Sequence, residues 1–259
     1  MRRTLPVIPP EIRDDGIPGG AMSYSKYSAF KACAKAFEFT YIHGIKGPPS
    51  LSMVKGIAIH AGAESALRAK KEGQEFSLAQ GVAAVSDAYD AEKGDAPEDP
   101  TASKDSAILL YKLYHAQTLP HLEPLEIEQE FVVKVGTVPA LGYIDLLDGA
   151  GEKVTVVDLK TSTAKWSERD VRLEPQLTLY AAVKGTTFAR IDNLVSTKTP
   201  AYHRLETTRL SADVKVFIED FEETVDLIKR GIFPRTSIDS WKCDPKWCVH
   251  WSACRGRGR

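Results

Sequence analysis

The sequence predicts an α/β fold, and three observations carry that reading. Helical periodicity dominates from about Ser25 to Gln117, and from Leu125 onward the apolar residues take the two-residue period of strands. A helical segment at Pro175 interrupts the strands, and a long one from Ser211 closes them. Within the strand region, the β-branched run from Val154 ends in Asp158-Leu159-Lys160, an acid and a lysine that strand alternation puts on one face. Such a pair is a poor way to build a core and a good way to build a metal-assisted hydrolytic site.

With 259 residues, 43% of them apolar, the chain suits one large domain with additions. Its net charge of −1 supplies no global basic field, so a nucleic-acid partner needs a local positive groove. No apolar run approaches the roughly 20 residues that span a bilayer, and the first residues lack the pattern of a signal peptide. The expectation is a cytoplasmic protein with no membrane partner. Of the four cysteines, Cys33 stands apart while Cys243, Cys248 and Cys254 cluster, which in a reducing compartment points to metal rather than disulfides.

Residues 1–20 hold four prolines and a Gly-Gly pair without a period, and are expected to be a mobile leader. Tyr27, Phe30, Phe37 and Tyr41 then recur at helical intervals, with Ser25 as the cap and Cys33 in the middle of the helix. A second helix runs from Gly56 to about Lys71 and puts His60 one turn from Glu64. A third covers Leu78 to Glu92, an acidic loop runs from Gly94 to Pro100, and a fourth helix spans about Ser103 to Gln117.

The first strand has Ile127, Gln129, Phe131 and Val133 on one face and includes Glu130. The next, Ala140 to Leu147, carries Gly142 and Asp145, and the turn residues 148–151 join it in a hairpin to Lys153–Leu159. A simple count sets Asp145 a few residues from Asp158 along this ladder, so twist or a bulge would have to bring them together. Pro175 opens a helix with Gln176 and Tyr180 on one side. Strands at Phe188–Ser196 and Tyr202–Thr208 precede a helix from Ser211 to about Arg230, whose apolar side is Val214, Phe217, Ile218, Phe221, Val225 and Ile228.

Asp145 and Asp158 on neighbouring strands are of the right kind to hold Mg²⁺ or Mn²⁺, hard ions that take oxygen ligands. Lys160 beside them would orient or activate the attacking water and stabilise charge developing on a phosphate. Taken singly, each residue has a plainer role: Asp-x-Lys as a solvated strand edge, His60 as a satisfied core histidine, Gln176 as a helix start and Tyr180 as packing. Glu64 is a supporting candidate, and Glu130 divides between active-site acid and strand surface. Four thiolates are the number an iron–sulfur cluster needs, and they equally make a closed zinc site in which His250 could replace one cysteine. Trp241, Trp247 and Trp251 could stack on unpaired bases or cover the metal, and the residues 255–259 could contact phosphates or remain a solvated tail.

In order, Gly56-Ile-Ala-Ile-His60, Glu130, Gly142-Tyr-Ile-Asp145, Asp158-Leu-Lys160 and Gln176-Leu-Thr-Leu-Tyr180 resemble the PD-(D/E)XK nuclease superfamily, specifically its RecB-like exonuclease branch. The resemblance runs from about Ser23 to Cys254. It implies a restriction-endonuclease-like core, a central mixed β-sheet flanked by helices, with a C-terminal cysteine-ligated cap. Metal binding by His60, Asp145, Asp158 and the carbonyl of Leu159 follows from it, with Lys160 as the catalytic lysine. Gln176 and Tyr180 correspond to the branch's helix motif near the scissile phosphate. Cys33 ahead of the core and Cys243, Cys248 and Cys254 behind it match the iron–sulfur members, which hold a [4Fe-4S] cluster; zinc is the alternative. Two departures stand out: Ala34-Lys35-Ala36-Phe37 replaces the frequent Pro-Arg-Lys-aromatic run, and the spacing from Cys243 to Cys248 is longer than usual.

The implied organisation is a leader over 1–20, one nuclease domain over 21–254 whose two ends meet at the cluster, and a basic tail over 255–259. The implied activity is metal-dependent DNA exonuclease action on ends or single strands, leaving a 5′ phosphate. It belongs to recombination, repair or phage DNA processing in a bacterial or phage-infected cell, where a homo-oligomer or a helicase or recombination partner is in keeping. A non-cleaving DNA-binding or partner subunit is the alternative function.

Overall fold

The computed structural model describes residues 7–94, 100–150 and 153–256. The first six residues of the expected leader, residues 95–99 of the acidic loop, Gly151 of the expected turn and residues 257–259 of the basic tail lie outside the described residues. The described residues divide into two compact units. One draws on 48–129 and 143–214, the other on the stretches up to 47, 130–142 and 215 onward.

After α1 (Tyr24–Ala32) and α2 (Ala34–Phe37), which belong to the second unit, the first unit begins with α3 (Leu51–Lys71), α4 (Leu78–Glu92) and α5 (Pro100–Gln117). The Ser50 side chain caps α3 by accepting from the Met53 amide at 3.2 Å, so that helix starts well ahead of the expected Gly56. Ser77 and Gln80 form a reciprocal capping box at the start of α4. The three helices pack closely because glycine permits it: a Cβ on Gly62 would lie 2.5 Å from Val85, and one on Gly81 would lie 1.8 Å from the Tyr111 hydroxyl. Val54, Ile59, Val85, Tyr89, Leu110 and Tyr111 form the buried centre of this layer.

The sheet has the order β1-β2-β3-β4-β5, with β1 Pro124–Val135, β2 Val138–Asp148, β3 Thr155–Ser162, β4 Phe188–Val195 and β5 Ala201–Thr208. It is mixed: β3 runs antiparallel to β2 and parallel to β4, and β5 returns antiparallel. The crossover from β3 to β4 carries α6 (Glu168–Leu173), which the sequence reading lacks, and α7 (Pro175–Lys184). Val156 through Leu159 are all buried, as befits a strand covered on both faces. Val157 and Leu159 join the core with α3 and α5, while the opposite face of β3 meets α7.

A buried ion-pair network ties three strands together. Arg190 of β4 donates to Asp148 of β2 at 2.8 Å and to Asp192 at 3.0 and 3.2 Å, and the Tyr202 hydroxyl of β5 donates to Asp192 at 2.9 Å. The other oxygen of Asp148 accepts from the amides of Glu123 and Ala150. All three charged groups are almost wholly removed from water.

In the second unit, α1 (Tyr24–Ala32) is capped by Ser23, which accepts from the Lys26 amide at 3.3 Å, and not by Ser25. Cys33 does not sit inside a helix. It is the extended residue between α1 and α2 (Ala34–Phe37), after which a π-helical turn spans Glu38–Ile42. The long α8 (Ser211–Lys229) buries Phe217, Phe221, Val225 and Ile228, and Tyr27 packs edge-on against Phe217. The stretch expected to be a mobile leader is docked from Asp14 onward: Ile17 and Gly20 are buried and Asp14 pairs with Lys229. Arg255, expected in the tail, ends the short α9 (Trp251–Arg255) and donates to the Thr236 carbonyl. No helix among the described residues is long and apolar enough to cross a membrane.

Asp148→Ala leaves Arg190 buried with half of its pairing gone, and the expected cost is about 3–5 kcal/mol. The midpoint of urea unfolding, compared with that of the parent chain, measures it.

Candidate active site

The register of β2 on β3 sets the centre of the site. Leu146 pairs with Val157 and Leu147 with Val156, so the next step of the antiparallel ladder sets Asp145 across from Asp158. No bulge in this pair is needed, because the connection after Asp148 is longer than a tight turn. The Leu159 amide donates to Asp145 Oδ2 at 2.9 Å and holds the carboxylate against β3.

Lys160, two residues beyond Asp158 and on the same face, brings Nζ to 2.7 Å from Asp158 Oδ2. The same ammonium donates to Gln176 Oε1 at 2.7 Å, and Gln176 Nε2 donates to the Tyr180 oxygen at 2.6 Å. Gln176 and Tyr180 face β3 because α7 starts in a fixed place: Glu174 caps it and Pro175 occupies its first turn. Arg209, buried, clamps this corner by donating to the carbonyls of Val171 and Glu174 at 2.9 and 3.0 Å and to Thr178 at 2.7 Å. Nothing in the local sequence marks Arg209 for that task, since its partners lie more than thirty residues earlier.

His60 arrives from α3. Its Nε2 lies 2.8 Å from the Leu159 carbonyl, and its Nδ1 lies 3.7 Å from Asp145 and 3.8 Å from Glu128. Donor atoms of His60, Glu128 and Asp145 lie within 4.8 Å of one another. A cavity of about 20 Å³, lined by these residues with Glu64, Leu159 and Asp192, has room for one ion or water. His60, Asp145, Asp158, Leu159, Lys160, Gln176 and Tyr180 therefore all meet in the first unit. Glu64 lines the cavity but is paired with Arg68.

Glu128 is the residue that the sequence reading missed. Glu130, the acid considered there, is exposed, whereas Glu128 is buried. At Glu128 the backbone has φ +48, in the left-handed region, and the consecutive side chains Ile127 and Glu128 are both buried. A kink of this kind breaks strand alternation, and such conformations cost about 1–3 kcal/mol and cluster at functional sites. Glu126, Glu128 and Glu130 share one face of a regular strand, so alternation alone could not choose among them.

The charges are strongly interdependent. Burial pushes Asp158 above the ordinary carboxylate range, to about 6; Lys160 opposes the shift and Asp145 adds to it. Burial also disfavours charge on His60, yet Asp145, Glu128 and Asp158 outweigh it and raise the imidazole to about 9. Lys160 is likewise held above the usual lysine value, burial being overcome by Asp158 and Asp145. Tyr180 is pushed well up by burial and then by Asp145 and Asp158, which keeps it a neutral phenol.

A second constellation lies in the second unit. Cys33, Cys243, Cys248 and Cys254 line one cavity of about 370 Å³. Arg235 donates to Cys254 Sγ at 3.3 Å and Arg255 to Cys243 Sγ at 3.4 Å, setting two guanidinium groups against the sulfurs. Burial, with the other three thiols nearby, pushes the Cys248 thiol up. Among the described residues, no three of these sulfurs come within 4.8 Å of one another. A tetrahedral zinc site, with Zn–S near about 2.3 Å, holds its sulfurs closer than that. His250 lines the same cavity, stacks on Phe39 and pairs with Thr40 at 2.9 Å.

A family model described as PD-(D/E)XK nuclease superfamily matches residues 21–255. Among solved structures, the "Putative exonuclease" of Eubacterium rectale is similar at 12% identity with a TM-score of 0.51, over 86% of this chain and 86% of its own; at that identity the likeness shows the fold. The structure of SSO0001 is similar at 15% identity with a TM-score of 0.39, over 88% of this chain and 97% of its own. No curated protein matches the chain.

Two outcomes follow for metal binding. Glu128→Gln is expected to weaken Mn²⁺ binding more than about tenfold, while Glu130→Gln leaves it unchanged, as read by isothermal titration calorimetry. Because a histidine ligand must be neutral and His60 is protonated below about 9 in the metal-free site, binding near pH 7.5 releases a proton. The same titrations in buffers of different ionisation enthalpy count that proton.

Proposed function

Because the chain belongs to the PD-(D/E)XK nuclease superfamily, we propose that it hydrolyses DNA phosphodiester bonds as a RecB-like exonuclease using Mg²⁺ or Mn²⁺. The observation that carries this reading is the meeting of two groups at β3: the Asp158–Lys160 pair, and His60, Glu128 and Asp145 around a cavity the size of one ion. The oxygen-rich donor set with one imidazole suits a hard divalent cation. His60, Glu128, Asp145, Asp158 and the Leu159 carbonyl would hold it. When bound, the ion supplies Lewis-acid stabilisation of the phosphate and a water of lowered pKa.

The remaining chemistry belongs to side chains. Lys160 stays an ammonium at neutral pH, so it acts as a fixed positive charge beside the phosphate rather than as a base. Gln176 accepts from Lys160 and fixes its direction, and its own amide holds Tyr180, whose phenol remains a neutral donor. The buried position of Asp158 excludes water from its pairing with Lys160 and strengthens it. Action on DNA ends or single strands, with a 5′ phosphate product, fits the RecB-like branch and the name of the structural neighbour. A role in recombination, repair or phage DNA processing in the cytoplasm accords with that activity.

We further propose that the four cysteines hold a [4Fe-4S] cluster. The cavity they line is wider than a single-ion site, and the guanidinium groups of Arg235 and Arg255 suit a thiolate-bound, negatively charged cluster. On this reading the nuclease core and its cysteine cap make up the domain over 21–254.

With Mg²⁺ or Mn²⁺, the purified protein is expected to degrade end-labelled linear DNA. Asp158→Ala should abolish the activity, and Lys160→Ala should cost about 100- to 1,000-fold in rate. DNA binding by folded protein without cleavage in either ion would establish the non-cleaving partner subunit instead. Protein purified without oxygen should be brown, contain iron and lose its visible absorption in Cys248→Ser; a colourless protein that contains zinc would refute the cluster.

A further inference from the structure

We propose that the cysteine cap of the second unit carries a binding surface for single-stranded DNA, built from two tryptophan–lysine pairs, Trp241–Lys242 and Lys246–Trp247. The inference rests on the reading of the chain as a DNA-handling protein but not on its catalysis.

Indoles are normally kept from water, yet Trp241 is 69% and Trp247 61% exposed. Both lie on the wall of the cavity that the four cysteines share. Trp251 lines the same wall but is half-buried, so it can serve as cover for that cavity while the other two cannot. Of the roles the sequence allows for the three tryptophans, covering the metal therefore fits one of them.

Each exposed indole carries a cation at its face. The Lys242 ammonium lies 5.6 Å from the Trp241 ring centre, and the Lys246 ammonium lies 4.8 Å from that of Trp247. A nucleotide offers the complement of such a pair: a base with a π face and a phosphate with a negative charge. Stacking on an indole is tolerant of sequence because every base has a π face. It also requires bases that are not already stacked inside a duplex, which selects single strands.

Charge supports the same occupant. From residue 234 to residue 256 the sequence has four Lys or Arg and two Asp, a net of +2, although the whole chain is at −1. A chain without a global basic field thus collects positive charge where its exposed indoles are. A protein partner would bury the indoles without needing that local charge.

The test uses the full-length wild-type chain, purified without oxygen, in buffer free of divalent ions. Fluorescence anisotropy measures its affinity for a labelled oligothymidylate, for a duplex of equal length and for an abasic strand of equal length, and tryptophan emission is recorded alongside. Quenched emission and a preference for the oligothymidylate over both other ligands are expected. The Trp241→Ala/Trp247→Ala variant should lose at least about tenfold in single-strand affinity. Trp241→Phe/Trp247→Phe should keep most of it and guards against a folding defect, with far-UV circular dichroism confirming the fold. Equal affinity for the abasic strand, equal affinity for the duplex, no binding by wild type, or an alanine variant that folds and binds like wild type would each overturn the proposal. Cleavage with Mg²⁺ or Mn²⁺ is measured separately on the same preparations. A protein that binds single strands through Trp241 and Trp247 but never cuts defeats only the nuclease reading, and one that cuts while the alanine variant binds normally defeats only this surface.

Discussion

Asp158 is a carboxylate about 1% exposed on the central strand of the sheet, and the rest of the site is organised by the need to offset its burial. A buried charge of this kind costs several kcal/mol unless it is paired. Here the pairing is local and cheap in sequence: Lys160 stands two residues on, where strand alternation brings it to the same face. Asp145 faces the same point across the β2–β3 ladder and adds a second negative charge, which His60 from α3 answers. The metal-free site is thus balanced by a lysine and an imidazolium, and the close donor set of His60, Glu128 and Asp145 leaves a cation-sized place among them.

Contacts from the surrounding fold hold that arrangement in place. The parallel pairing of β3 with β4 runs through Asp158 and Lys160, and Arg190, Asp148 and Asp192 tie together β2 and β4, the strands on either side of β3. Arg209 and Glu174 fix the start of α7, and with it Gln176 and Tyr180. Glycines 62 and 81 let α3, the helix that carries His60, pack closely with α4 and α5. Small errors in any of these contacts would pass to Lys160 or His60, because each reaches its partners through one or two hydrogen bonds.

Much of this was legible in the sequence, for physical reasons that differ from place to place. The bounds of α4 and the buried face of α8 follow from periodicity, which a long amphipathic helix shows without help from tertiary contacts. The Asp158–Lys160 pair and the Gln176–Tyr180 spacing are local and were equally readable. Glu128 was not, because a single left-handed residue in β1 changes which acid turns inward. The break at Cys33, the docking of Ile17 and the role of Arg209 were hidden for another reason: each depends on partners far away in the chain. The β2–β3 register depends on the length of the connection after Asp148, which turn residues alone do not set, and the ladder itself brings Asp145 to Asp158.

The central claim is that a kinked β1, the β2–β3 ladder and α3 together form one divalent-cation centre. Crystals grown or soaked in Mn²⁺ test it most directly through anomalous diffraction at the manganese edge. One strong anomalous peak is expected within coordinating distance of His60, Glu128 and Asp145, with Asp158 or the Leu159 carbonyl completing the shell. A peak ligated by Glu130, or manganese bound only at the protein surface with this centre empty, would contradict it.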